Sequence, residues 1–261
     1  MMRALLTAAT GMDAQQLTVD TIANNLANVN TSGFKRSRAN FHDLLYQTIK
    51  APGQSSTVGT VIPSGIQIGS GTQVSSVEKM FTEGGIIQTK KETDMMIQGE
   101  GFFRVQLDDG RTAYTRDGSF KWDSNGRLVT ADGFPVMPEI TIPPGVAHNK
   151  FNVGFDGAVT VRVGEEVQEL GQLQLANFIN PAGLDSLGRN MYGATVASGE
   201  PIVSAANQDG VGAIAQGQLE SSNVNVIEEM VNMITGQRAY ELNSKVIQAG
   251  DQMLQQTNNI R

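Results

Sequence analysis

Cysteine is absent from the 261 residues. That excludes disulfide scaffolds, thiolate zinc sites, iron–sulfur clusters and cysteine nucleophiles. Histidine occurs twice, as His42 and His148, far apart and outside any HExxH-type spacing, so no metal site is expected. There is no P-loop and no G-x-S-x-G elbow. Gly99-Glu100-Gly101 lacks the third glycine and following helix of a dinucleotide loop, and reads as a bend entering a strand. Charged residues make up only 17% and the net charge is -7. An acidic chain without a dominant basic face is not a nucleic-acid binder. No apolar run reaches the length of a membrane span, so no membrane insertion is expected. Residues 1–9 look like the start of a signal peptide, but Asp13, Gln15 and Gln16 interrupt it, so no cleaved leader is expected.

Glycine, with 29 residues, is abundant, and asparagine and glutamine together number 38. An uncharged, amide-rich surface suits contact with other copies of the chain. Carboxylates pair at Asp108-Asp109, Glu165-Glu166 and Glu228-Glu229, and paired acids could serve glycoside hydrolysis. A hairpin turn, a solvated run and a helix N-terminus account for them without catalysis. Neither a catalytic residue nor a cofactor site is assigned. Lys35, Arg36 and Arg38 form a small basic cluster, read as a solvated or subunit-contacting patch.

The spacing predicts a helix over 3–29. Leu5, Met12, Val19 and Leu26 recur every seven residues, with Ala8, Ile22 and Val29 on the neighbouring row. Asn30-Thr31-Ser32-Gly33 is its stop, with Gly33 left-handed. Residues 34–75 read as an extended linker or hairpin, with Phe41–Ile49 either helical or extended and Ala51–Thr57 a loop. Residues 76–220 read as an antiparallel β domain. Six turn dipeptides punctuate it: Asp109-Gly110, Asp117-Gly118, Asn125-Gly126, Asp132-Gly133, Asp156-Gly157 and Asp209-Gly210. Helix returns over 225–258, opened by Asn225 with Glu228. Val226, Met233, Tyr240, Ile247 and Leu254 form one row there, and Ala239, Val246, Met253 and Ile260 a second. The expected fold is therefore α+β. Terminal helices (1–33 with 221–261) form a coiled coil, a linker spans 34–75, and a mainly antiparallel β domain spans 76–220. Burial along one seam is too little to order the terminal helices alone, which suggests a subunit that polymerises.

Three segments carry a resemblance. Residues 23–35 (ANNLANVNTSGFK), 99–120 (from GEGFF through YTRDGSF) and 219–254 (from LESSNV through QRAYE and DQML) resemble the bacterial flagellar rod and hook proteins, in the family's order and across almost the whole chain. The length resembles a rod member, since hook proteins carry an added outer domain. Residues 43–49 and 63–69 are similar to the distal-rod branch, with the proximal-rod branch as the alternative and a cell-wall hydrolase as the reading from another class. The resemblance implies a structural, non-enzymatic subunit stacked helically into a hollow shaft that carries torque and conducts exported proteins. It further implies export by the flagellar type III system and a place in the periplasmic basal body. Partners would be other copies of the chain, proximal rod proteins, the hook protein and the P-ring and L-ring proteins, without cofactor, nucleic acid or membrane insertion. Leu5, Met12, Val19, Ile22, Leu26, Val29, Val226, Met233, Tyr240, Ile247 and Leu254 are the expected self-assembly residues. The insertion 46–63, with Val58, Val61 and Ile62 needing burial, is the expected stiffening element.

Overall fold

The first helix, α1 (Met2–Ala27), contains no proline, and its least exposed face carries Ala8, Ala14, Ile22 and Asn25. In this computed structural model, residues 2–51, 55–57, 60–61, 64–142, 151–163, 166–208 and 210–259 are described. The second helix, α2 (Val226–Asn259), opens with Glu228 and Glu229, where the helix dipole favours negative charge. The chain divides by contact into two units. One comprises Met1–Leu26, Ser37–Glu78 and Val226–Arg261; the other comprises Ala27–Arg36 and Lys79–Asn225.

Within the first unit, α1 and α2 approach each other running in opposite directions. A methyl placed on Gly250 would lie 2.7 Å from Leu5, one on Gly11 would lie 3.0 Å from Asn243, and one on Gly236 would lie 3.2 Å from Val19. Farther along, the Asn25 amide donates to Glu229 Oε2 at 3.4 Å. Mid-helix glycine costs about 1 kcal/mol relative to alanine, and close backbone approach is what these three provide. The α2 row facing α1 is thus Glu229, Gly236, Asn243 and Gly250. It alternates with Met233 and Ile247, both half-buried. In the expected second row Ala239 is half-buried, whereas Val246 and Met253 are about half exposed.

Residues 37–79 form a β-ribbon. Its strands are β1 (Ser37–Asp43), β2 (Tyr46–Lys50), β3 (Ser55–Thr57), β4 (Thr60–Val61), β5 (Ile66–Gly69) and β6 (Thr72–Lys79). They nest as β1 with β6, β2 with β5 and β3 with β4, so Phe41–Ile49 is extended rather than helical. The ribbon groups with the helices rather than standing as a separate linker. Asn25 exchanges two hydrogen bonds with the Ser37 backbone (2.8 and 2.9 Å), and the Thr72 N–H donates to Thr10. Val58 and Ile62 lie outside the described residues, as does the side chain of Val61.

The second unit is mainly β, with a short 3-10 helix at Pro181–Gly183. Its strands are β7 (Ile86–Gln88), β8 (Met95–Gln98), β9 (Phe102–Gln106), β10 (Thr112–Thr115), β11 (Lys121–Trp122), β12 (Leu128–Val129), β13 (Val136–Met137), β14 (Phe151–Val153), β15 (Ala158–Val163), β16 (Glu166–Gln172), β17 (Gln174–Asn177), β18 (Asp185–Gly188), β19 (Met191–Gly193), β20 (Ile202–Ala205), β21 (Ala213–Gln216) and β22 (Gln218–Glu220). The main sheet runs β18-β19-β10-β9-β17-β20, with β13 also on β9, and its described strand pairs are antiparallel. Strand β9 alternates sides, as the two-residue period demands. Phe103 and Val105 enter the main core with Met95, Ile97, Phe120 and Leu175, while Phe102 joins Tyr114, Phe178 and Tyr192 in a smaller aromatic cluster.

The turn dipeptides account for the hairpins. Asp109-Gly110 joins β9 to β10, Asn125-Gly126 joins β11 to β12, Asp132-Gly133 turns the chain after β12, and Asp156-Gly157 joins β14 to β15. Asp117-Gly118 is different. It closes no hairpin, and the Gly118 carbonyl accepts from the Met95 N–H. Asp209 lies outside the described residues.

Gly110 and Gly157 share a positive φ, 80° and 81°, but a methyl at Gly110 meets nothing whereas one at Gly157 would lie 2.7 Å from the Leu173 carbonyl. Gly110→Ala should cost about 1 kcal/mol of backbone strain and Gly157→Ala about 3 kcal/mol. The chain's one tryptophan, Trp122, packs edge-on to Phe151 in this unit, so its fluorescence in a urea titration reads the difference. Equal losses would mean that the crowding at Gly157 relaxes freely.

Candidate assembly elements and the clasps that hold them

Three remote stretches meet at a buried charge cluster in the β unit. The Lys35 ammonium donates to Glu220 Oε1 at 2.5 Å and to the Thr82 carbonyl at 2.7 Å. The Gly84 N–H also donates to Glu220 Oε1, at 3.0 Å. Arg116 Nη1 lies 3.6 Å from Glu220 Oε2, and its guanidinium sits 5.4 Å from the Phe102 ring centroid. All three side chains are almost wholly buried. Burial pulls the Lys35 ammonium below its ordinary pKa, and Glu220 pulls it back up. Burial likewise raises the Tyr192 phenol to about 12. The cluster corrects the expectation for the basic patch. Lys35 is the most buried of its three residues, half-buried Arg36 has its Nε on Met80 Sδ, and Arg38 is exposed and paired with Glu78.

Local geometry brings Lys35 there. After α1 the chain turns through Gly33, whose φ is 68° and whose absent methyl would lie 2.6 Å from the Asp117 nitrogen. The Gly33 N–H donates to the Glu220 carbonyl at 2.9 Å. Beside it Asn223 acts as a peptide group would. Its Oδ1 accepts from the Arg36 N–H at 2.7 Å, and its amide donates to the Met80 carbonyl at 2.8 Å and to Thr82 Oγ1 at 2.9 Å. The stretches 33–36, 80–84 and 220–223 are thereby bound in one knot. Asn25 does the same in the helical unit, joining α1, Ser37 and Glu229.

The expected self-assembly residues fall in two groups. On α1, Leu5, Met12, Val19 and Leu26 are half-buried and Ile22 is buried. Val29 lies past the helix, in the β unit. On α2, Met233 and Ile247 are half-buried, whereas Val226, Tyr240 and Leu254 are 39%, 42% and 38% exposed. A second α2 stripe was missed by the sequence reading: Ile227, Val231, Ile234 and Leu242, exposed on the side away from α1. Its first three members keep the four-three spacing, but Arg238 and Lys245 interrupt it. The ribbon also exposes Phe41, Leu45, Tyr46, Ile49, Ile66 and Ile68. Such extensive apolar exposure marks interaction surfaces. Among the described residues no helix is long and apolar enough to cross a membrane, and no three potential ligands gather to hold a metal.

Glu220 serves two cations. Glu220→Gln, which removes the carboxylate that both buried cations contact, should cost about 3–5 kcal/mol. Lys35→Met leaves the Arg116–Glu220 pair and should cost less, about 2 kcal/mol. Trp122 fluorescence in urea gives the ranking, and a larger loss for Lys35→Met would show that Arg116 does not depend on Glu220.

Comparison with known proteins matches three family profiles. Residues 5–35 match one described as "Flagella basal body rod protein", 96–161 one described as "Flagellar hook protein FlgE/F/G D1 domain", and 215–260 one described as "Flagellar basal body rod FlgEFG protein C-terminal". Among curated relatives, the flagellar basal-body rod protein FlgG of Buchnera aphidicola subsp. Schizaphis graminum is 52% identical over 257 residues, 98% of each chain. That of Borreliella burgdorferi is 49% identical over 263 residues, 100% of this chain and 99% of its own. The Bacillus subtilis FlgG is 39% identical over 271 residues, the full length of both. Lys35 lies in the first matched segment, Arg116 in the second and Glu220 in the third.

Proposed function

Because the chain belongs to the FlgG family of flagellar basal-body rod proteins, we propose that it polymerises helically into the distal rod as a rigid hollow drive shaft. The observation that carries the reading is end-to-end identity with rod proteins in several bacteria. A structural subunit of the rod needs no turnover, and the relatives' names are structural rather than enzymatic. In this reading α1 and α2 pack with those of other copies as a coiled-coil layer lining the tube, and the β unit lies outside. Torque then passes from motor to hook through subunit contacts, and exported proteins pass along the bore. The remaining partners would be the proximal rod proteins, the hook protein and the P and L rings. The chain would reach the periplasm unfolded through the flagellar type III route.

The ribbon has a distinct place in this reading. Its exposed Phe41, Leu45, Tyr46, Ile49, Ile66 and Ile68 need cover, and a neighbouring subunit supplies it. Contact of this kind at every lattice step resists the sliding that lets a tube bend. The purified chain, concentrated, should form straight tubes in negative-stain microscopy, with helical circular dichroism rising on assembly. Deleting residues 51–60 should leave the Trp122 unfolding transition unchanged and give curved tubes. A chain that stays monomeric at every concentration would overturn the polymer reading, and equally straight tubes from the deletion would overturn the stiffening role.

A further inference from the structure

The two helices carry matched charges on the faces they turn away from each other. On α1, Asp13 and Asp20 are exposed, seven residues apart, on the side opposite Ala8, Gln15 and Ile22. On α2, Arg238 and Lys245 are exposed, also seven apart, within the outer apolar stripe of Ile227, Val231, Ile234 and Leu242. Seven residues is two helical turns, so each pair lies on one line along its helix. Among the described residues none of the four forms an ion pair, and Glu241, three residues from Arg238 and four from Lys245, bridges to neither. An apolar stripe interrupted by unpaired cations and an acidic line with the same repeat make complementary surfaces. One chain cannot bring them together, because both face outward from the same helix pair.

We infer that the outer face of α2 in one copy docks on the outer face of α1 in the next, with Asp13 against Lys245 and Asp20 against Arg238. The inference rests on the polymer reading above. In a polar polymer every copy points the same way. Since α1 and α2 run oppositely within a chain, α1 of one copy also runs opposite to α2 of its neighbour. Of the two ways to match the charges, that direction selects the pairing of 13 with 245 and 20 with 238 over that of 13 with 238. The same register sets the small side chains of Ala27 and Ala9 opposite Val231 and Ala249. Burial of the apolar stripe supplies the attraction. The exposed ion pairs, individually weak, fix the register and reject a copy slid by a turn.

The natural absence of cysteine makes the register directly readable. Chains carrying Asp20→Cys are mixed with chains carrying Arg238→Cys, assembled and oxidised, so that a disulfide between positions 20 and 238 can form only between copies. Peptide mapping should find that link, and a mixture of Asp13→Cys with Arg238→Cys chains should give at most background. Tubes that lack the 20–238 link, or that form the 13–238 link instead, overturn the register while the polymer reading stands. Chains that never assemble, wild type included, overturn both. A charge swap tests the same contact without cysteine. Asp20→Arg or Arg238→Asp alone should raise the critical concentration for tube formation about fivefold, and the two together should restore it. Singles without effect, or a double variant as impaired as the singles, count against the pairing.

Discussion

Burial of Glu220 between Lys35 and Arg116 is the constraint on which the architecture depends. A carboxylate without partners could not stay in that interior, and neither could either cation. Each segment therefore reaches its place only when the other two do. The gain is in specificity more than in net stability, because desolvation consumes most of the attraction. A core of aliphatic side chains would tolerate slippage of one strand against another. A lysine that must reach one carboxylate oxygen and one carbonyl does not.

The amide-rich composition acquires a structural meaning around this cluster. Asn223 and Asn25 each present a donor and an acceptor on one planar group and so replace a backbone peptide where the strands themselves do not pair. Both sit where chain segments cross from helix to ribbon or from β unit to helix. A charged residue in either position would carry only half of that pattern. Asparagine is the short side chain that satisfies both partners without a counter-ion.

Much of this was legible in the sequence, for identifiable reasons. The two helices follow from heptad rows, and four of the six turn dipeptides mark tight turns because a glycine at positive φ is a local requirement. The ribbon was read loosely, since its strands alternate without a buried face to impose a period. Lys35 was misread because three cations in four residues look solvated. Only the distant Glu220, Thr82 and Gly84 make burial tolerable, and no local pattern announces them. The inner face of α2 escaped for the opposite reason: Glu229, Gly236, Asn243 and Gly250 keep a strict seven-residue spacing, but none is apolar. Proximity to α1, rather than hydrophobicity, selects them.

The opposed course of α1 and α2 also dictates a sequence of events. The residues that meet Leu5, Gly11 and Val19 are Gly250, Asn243 and Gly236, so α1 finds its partners only beyond the β unit. The cost of closing so long a loop rises only slowly with its length, so the equilibrium structure bears it easily. The burden falls on time: whenever the chain emerges N-terminus first, α1 must wait for α2 until the β unit between them has followed. Completion of the helix pair thus signals that the β unit between its two halves has arrived.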